Sequence, residues 1–342
     1  MTVLDRTTSL PAGRPAAERP LVSVVVPAFN EAEGIQAAIR TLLATLEPLE
    51  CEPEIVVVDD GSRDATFARA AALSDAGLPV RVLRLSRNFG KEGALLAGLE
   101  AARGAAVITI DADLQHPPSL IPAMLAEWRN GARIVNGVKR DRGDEPWHAK
   151  LRAQVVNALI TRLGGIDIRN ASDFKLLDRT AVDVLVRSLP EHRRFYRGLA
   201  DWIGFPQVDL PFDVAPRTAG ASAWGLRSLV ALTLTALVSF TSAPLRVVSV
   251  LGVLTLLLAI YVGGDALWSR LQGNAVSGFA TIIITLLLIG SAIMISLGVI
   301  GEYIAKIYDE IKGRPAYILE RVHGVEPAPK VQEPVEAVHE RR

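Results

Sequence analysis

"LVSVVVP", residues 21–27, and "EIVVVDD", residues 54–60, are short β-branched runs with apolar residues at successive positions. A strand with one wet face alternates apolar and polar residues, whereas a continuous run belongs to a strand buried on both faces. "VRVLRL" (80–85) and "AAVITI" (105–110) are further runs of this kind, and helical patterns begin near Glu31, Asp64, Lys91 and Pro118. Short strands separated by amphipathic helices predict a parallel sheet covered on both sides, an α/β Rossmann-like domain.

In such sheets ligands bind beyond the carboxyl ends of the strands. Three strand ends carry polar residues: Asn30 and Glu31, Asp59 and Asp60, Asp111 and Asp113. Connectivity places all three on one rim. After Val138 a basic loop, "KRDRGDEPWHAKLR" (139–152), leads into a helix to about Leu163. "ASDFKLLD" (171–178) reads as a strand or edge segment, "RRFYRGLADWIGF" (193–205) as helical and "VDLPFDV" (208–214) as extended.

Asp111 and Asp113 share one side of an extended segment, because side chains at i and i+2 point to the same face. Two carboxylates so held raise one another's pKa unless a cation neutralises them. Oxygen ligands suit Mg2+ or Mn2+, so one reading is a divalent ion on Asp113, Asp111 and Gln115 bridging to a diphosphate. The other is helix capping by Asp113 ahead of Pro117 and Pro118. Asp59 and Asp60 accept hydrogen bonds from a base or ribose on one reading. On the other, Asp60-Gly61 forms a turn and Asp64 caps the next helix. No Gly-x-Gly-x-x-Gly follows the first strand and no Walker lysine is present, which disfavours dinucleotide and P-loop sites. His116 lies in the motif with a surface or supporting role; His148, His192, His323 and His339 have no metal-ligand spacing.

Lys+Arg and Asp+Glu balance at 37 each, so no bulk charge points to nucleic acid. One cysteine, Cys51, excludes an intrachain disulfide and a zinc cluster. Uncharged runs at 228–245, 247–264 and 271–301 are interrupted only by Arg246, Asp265 and Arg270. A bilayer core of about 30 Å needs roughly 20 apolar helical residues. The first run is diluted by Thr and Ser and ended by Pro244, so it reads as an interfacial helix. Basic residues flank the other two at both outer ends, which predicts two crossings with both flanks cytoplasmic. The first twenty residues contain no signal-peptide core. The expected organisation is a disordered start (1–20), a catalytic domain (21–225), an interfacial helix (226–243), two transmembrane helices (246–301), a juxtamembrane segment (302–324) and a disordered tail (325–342). The localisation that follows is a multi-pass inner membrane protein with its soluble domain in the cytoplasm. Basic residues near the membrane segments suit an anionic lipid headgroup, Arg217 above the others by its position just before the interfacial helix.

"VVVPAFNEAEGI" (24–35), "VVDDGSRDAT" (57–66), "RNFGKEGALLAGLEAARG" (87–104), "DADLQHPP" (111–118) and "SDFKLLDR" (172–179) together resemble family-two glycosyltransferases with the GT-A fold. More narrowly they resemble polyisoprenyl-phosphate glycosyltransferases, the dolichyl-phosphate mannose synthases and bacterial bactoprenol glucosyltransferases. The resemblance spans about Leu21 to Arg321. It implies inverting transfer of a sugar from a nucleotide diphosphate sugar to a membrane polyprenyl phosphate, with Mg2+ or Mn2+ as cofactor. It further implies Pro27, Glu31, Asp60 and Asp111 at the nucleoside, and Asp111, Asp113 and Gln115 at the metal. Arg140, Arg142 and Arg217 fall to the acceptor phosphate, and Asp111, Asp113 and Arg217 to catalysis. Lys175 stands where the family pattern often has arginine. Two-span proteins often associate through their membrane helices, so a homo-oligomer is also expected. Two other classes share some of these features. A processive polysaccharide synthase usually carries Gln-x-x-Arg-Trp, which "RGLADW" (197–202) lacks; a non-catalytic nucleotide-sugar-binding membrane protein would not need Asp111, Asp113 and Arg217 together.

Overall fold

Four parallel strands form the centre of the sheet in the order β4-β1-β2-β3: β1 (Leu21–Ala28), β2 (Glu52–Asp59), β3 (Val80–Leu85) and β4 (Ala106–Thr109). The computed structural model describes residues 19–139, 171–189, 191, 196–213, 243–272 and 278–324. It divides into two units, Met1–Asp141 with Asn170–Thr218 and Pro315–Arg342 in one, and Arg142–Arg169 with Ala219–Arg314 in the other.

The apolar runs are explained by burial on both faces. Val22, Val24 and Val26 join the core built on α1 (Ile35–Leu46), α2 (Thr66–Asp75) and α4 (Ile121–Arg129). Val25 points the other way, to α3 (Lys91–Ala101), where a Cβ on Gly98 would stand 2.2 Å from Val25 Cγ1 and 3.1 Å from Val58 Cγ2. That closeness is why α3 carries glycine at the contact: the helix lies directly on the strands.

The sheet is mixed, which corrects the all-parallel expectation. β6 (Ala171–Asp178) runs antiparallel between β4 and β5 (Ile134–Lys139), β7 (Gln207–Phe212) lies parallel to β5, and β8 (Leu319–His323) pairs antiparallel with β3. β6 is interior and almost wholly buried rather than an edge. Its Asp173 and Lys175 are both buried and meet protein partners. α5 (Arg179–Asp183) continues into a π-helical turn at Val184–Ser188, and α6 (Tyr196–Trp202) packs on β6. The segment expected at 302–324 thus contains a sheet strand, so part of the chain after the long helices returns to the first unit.

In the second unit, α7 (Ala243–Leu271) and α8 (Phe279–Ile311) pack on each other. They cover most of the two ranges expected to cross a bilayer. Within α8, Leu288–Ile311, 24 residues with mean hydropathy 1.8, is long and apolar enough to cross a membrane, the one such span among the described residues. Leu256, Ile260, Ile282 and Met294 are exposed. The expected interfacial helix and the tail from 325 onward lie outside the described residues.

Adding a methyl group at Gly98 forces α3 off the strands. Gly98→Ala is expected to destabilise the first unit by roughly 1–3 kcal/mol, as overpacking does in dense cores. Thermal unfolding of the purified chain followed by circular dichroism measures it.

Candidate active site

The loop after β1 is stitched to the loop after β2 by reciprocal bonds. Asn30 takes a left-handed backbone, φ 56°, which asparagine tolerates better than most residues. Its N–H donates to Ser62 Oγ at 2.9 Å, its Oδ1 accepts from the Arg63 N–H at 3.0 Å, and the Glu31 N–H donates to Thr66 Oγ1 at 2.9 Å. Asp64 accepts from the N–H groups of Thr66 and Ala32, at 3.0 and 3.1 Å. These bonds hold the residues that sequence had assigned to helix starts, so α1 and α2 begin later, at Ile35 and Thr66.

Asp60 sits in the turn that was expected. Gly61 has φ 66°, and a Cβ there would stand 2.5 Å from the Arg87 carbonyl carbon. The Asp60 carboxylate accepts from the N–H groups of Phe89 and Gly90, at 2.7 and 2.9 Å. It therefore fixes the start of α3 and the position of Lys91. Burial pushes the Asp60 carboxyl up despite those two donors.

After β4 the chain turns sharply. Leu114 has φ 52°, a conformation that strains a residue with a Cβ and is typically found at functional sites. The Gln115 N–H donates to Asp113 Oδ1 at 3.1 Å, so Asp113 supports its own turn in addition to facing outward. Asp111 pairs with Lys91, Nζ to Oδ1 at 2.5 Å, and Lys91 also reaches Asp173 Oδ2 at 2.5 Å. Asp173 in turn accepts from Arg197, Nε at 2.7 Å and a terminal nitrogen at 2.9 Å. Burial works against the Lys91 charge, but Asp173 and Asp111 together hold it above the ordinary lysine range. Asp173 is held below the carboxylate range by Arg197 and Lys91, although burial opposes this.

Behind the turn, His116 is buried against the rings of Phe174 and Phe212, each 5.5 Å away between centroids, with Nδ1 3.7 Å from Asp111 Oδ2. Burial holds its imidazole below the usual range, so it packs as a neutral ring. Burial also lowers Lys175 to about 8, and its Nζ donates to Asn136 Oδ1 at 2.6 Å.

One cleft of about 340 Å³ is lined by Pro27, Glu31, Asp60, Asp111 and Asp113 from three strand ends, together with Asn88 and Lys91. Five of the residues singled out in the sequence therefore meet in one space. Gln115 stands beside it, and Arg140, Arg142 and Arg217 lie outside the described residues. Lys91, Asp173 and Arg197 were not singled out. The sequence does contain a signal for Asp173: continuing the β4–β6 register by two residues from Thr109↔Lys175 sets Asp111 opposite Asp173. Reading it requires knowing that β6 is β4's neighbour.

The donor set suits a hard divalent cation. Burial raises the Glu31 carboxyl, and repulsion from Asp113, Asp64 and Asp111 raises it further, so negative charge is concentrated at this rim. Among the described residues no three His, Cys, Asp or Glu side chains converge to hold an ion by themselves. Asp111 and Asp113 fit an ion whose remaining positions are filled by ligand oxygens and water, as Mg2+ commonly is.

The acidic rim stands at the carboxyl edge of a Rossmann-type mixed sheet. The sequence matches the profile of glycosyl transferase family 2 over residues 23–188. Over 310 residues it is 38% identical to an uncharacterized glycosyltransferase of Synechocystis, covering 90% of this chain and 97% of that one. Over 304 residues it is 36% identical to the bactoprenol glucosyl transferase of Shigella phage SfII, covering 88% and 98%. A crystal structure of glucosyl-3-phosphoglycerate synthase from Mycobacterium tuberculosis, in complex with Mn2+, UDP-glucose and phosphoglyceric acid, is 22% identical, with TM-score 0.44 over 64% of this chain and 78% of that one. The chain belongs to glycosyl transferase family 2 and is an enzyme of that class.

Glu92, beside Lys91 on α3, accepts from the Tyr196 N–H at 2.9 Å, and burial raises its carboxyl from 4.5 to about 7. Folded, it keeps its proton where the unfolded chain has lost it, so its contribution to stability is full below about 4.5 and is lost as pH rises through about 7. Glu92→Gln removes that loss. Relative to the parent, the variant is expected to gain roughly 1–3 kcal/mol between about pH 5 and about pH 8, read from urea denaturation at both values.

Proposed function

We propose that this enzyme transfers a sugar, with inversion, from a nucleotide diphosphate sugar to a polyprenyl phosphate at the inner face of a membrane. The observation that carries the reading is the cleft where Pro27, Glu31, Asp60, Asp111 and Asp113 meet. The bactoprenol glucosyl transferases among its relatives, matched over nearly their whole length, support the acceptor. The length and exposure of α7 and α8 support an anchored enzyme, read here as crossing twice with domain 21–225 in the cytoplasm; 226–243 at the interface is the reading of its sequence.

In this reading Glu31 and Asp60 accept hydrogen bonds from the nucleoside. Asp111 and Asp113, with Gln115 beside them, would hold Mg2+ or Mn2+, and the ion would supply positive charge to the departing diphosphate. The acceptor needs little activation, because a phosphate monoester with a second pKa of about 6 is already largely ionised near neutrality. What limits reaction is bringing two anionic partners together in line. Lys91, held by Asp173 with Arg197 behind it, keeps positive charge at the cleft, and Arg140, Arg142 and Arg217 are the sequence's candidates to grip the acceptor phosphate. Attack of the lipid phosphate oxygen on the anomeric carbon breaks the bond to the nucleotide diphosphate, and the configuration inverts.

Membranes containing the chain are expected to move radiolabel from a nucleotide sugar into an acid-labile lipid fraction when undecaprenyl phosphate and Mg2+ or Mn2+ are supplied. Asp113→Ala is expected to lower the rate by roughly a hundredfold or more, comparable to losing a key electrostatic group; transfer at the parent rate would sink the metal assignment. For topology, a reporter fused after Ala266 is expected outside the membrane and one after Arg342 inside. Signals on one side from both would remove the second crossing.

A further inference from the structure

Lys91 is the one cation among the described residues lining the cleft, and it is already engaged. Its ammonium lies 2.5 Å from both Asp111 Oδ1 and Asp173 Oδ2. The two carboxylates differ in what else supports them. Asp173 is 5% exposed and has two further charged donors from Arg197. Asp111 faces the cleft, and its other near partner, His116 Nδ1, is 3.7 Å away, beyond hydrogen-bond length. Losing Lys91 would thus leave Asp173 paired and Asp111 bare. The Lys91 side chain is 40% exposed, springs from the first residue of α3 and lines the cleft.

An ammonium on Asp111 Oδ1 competes for the same lone pairs with any metal ion that Asp111 would bind. It also places one positive charge beside Asp111, Asp113 and Glu31. We propose that Lys91 is a tethered stand-in cation: it neutralises Asp111 until the nucleotide and its divalent ion arrive, yields that carboxylate to the ion, and pairs with the diphosphate while Asp173 holds it. The inference rests on the metal-dependent reading above. Asp173 is then a positioning residue, whose interior place in β6 keeps the displaced lysine at hand. Charge in the cleft stays balanced throughout, because the divalent ion and the diphosphate enter together.

The test measures Mn2+ binding to the full-length chain by electron paramagnetic resonance, without sugar transfer. Parent, Lys91→Gln and Lys91→Arg are compared, with Lys91→Met replacing the glutamine variant if circular dichroism shows it unfolded. With Mn2+ alone, the neutral variant is expected to bind roughly three- to tenfold tighter than the parent, as fits loss of a partly exposed competing ion pair, while Lys91→Arg stays near the parent. With Mn2+ present, the neutral variant is expected to bind UDP or GDP, whichever the parent takes, roughly tenfold more weakly through loss of a charge-assisted contact. If the parent binds Mn2+ and the neutral variant binds it no tighter, the stand-in role is overturned and the metal reading stands. If the parent binds no Mn2+ even with either nucleotide, the metal reading fails and this inference goes with it.

Discussion

Negative charge collected at the carboxyl edge of the sheet is the condition to which the rest of the first unit is fitted. Glu31, Asp60, Asp111 and Asp113 share one cleft, and Glu31, raised first by burial, is raised further by repulsion from Asp113, Asp64 and Asp111. Each is answered differently. Asp60 spends its oxygens on the backbone of the loop that delivers Lys91, Asp111 takes Lys91 itself, and Asp113 accepts from its own turn. Glu31 is left with a raised pKa. A site with this concentration of negative charge favours cations.

The cation is available because β6 runs backward. Lying antiparallel beside β4, it brings Asp173 up to the same rim where Asp111 emerges, with Lys91 between them and Arg197 behind. A parallel strand in that position would end at the rim with a different residue. The buried Asp173 costs desolvation energy, which two cationic partners offset; removing one partner would leave a charge in poor surroundings, and such groups tend to hold their neighbours in a single arrangement. The aromatic pair Phe174 and Phe212 closes around His116 directly beneath, so the turn bearing the two aspartates rests on a packed base.

In the second unit, α7 and α8 expose many large aliphatic side chains among those described. After α8 the chain continues to β8, which completes the far edge of the sheet in the first unit. The two units are therefore joined by the chain in both directions.

Sequence alone determined the alternation of buried strands and helices, the rim at the strand ends, five of the residues that line the cleft, and the long apolar helices. Those features are local: periodicity, turn residues and uninterrupted apolar length are written in consecutive residues. It placed a strand at 171–178 but left open that it was an edge segment, and it made the sheet wholly parallel, because strand order and direction depend on which segments meet across the fold. It also passed over Lys91, Asp173 and Arg197. On paper a lysine beginning a helix, an aspartate in a strand and an arginine 24 residues further on look like unrelated surface charges. Only the tertiary structure made them one ion-paired chain, since Coulomb attraction acts across a few ångströms of space whatever the distance along the sequence.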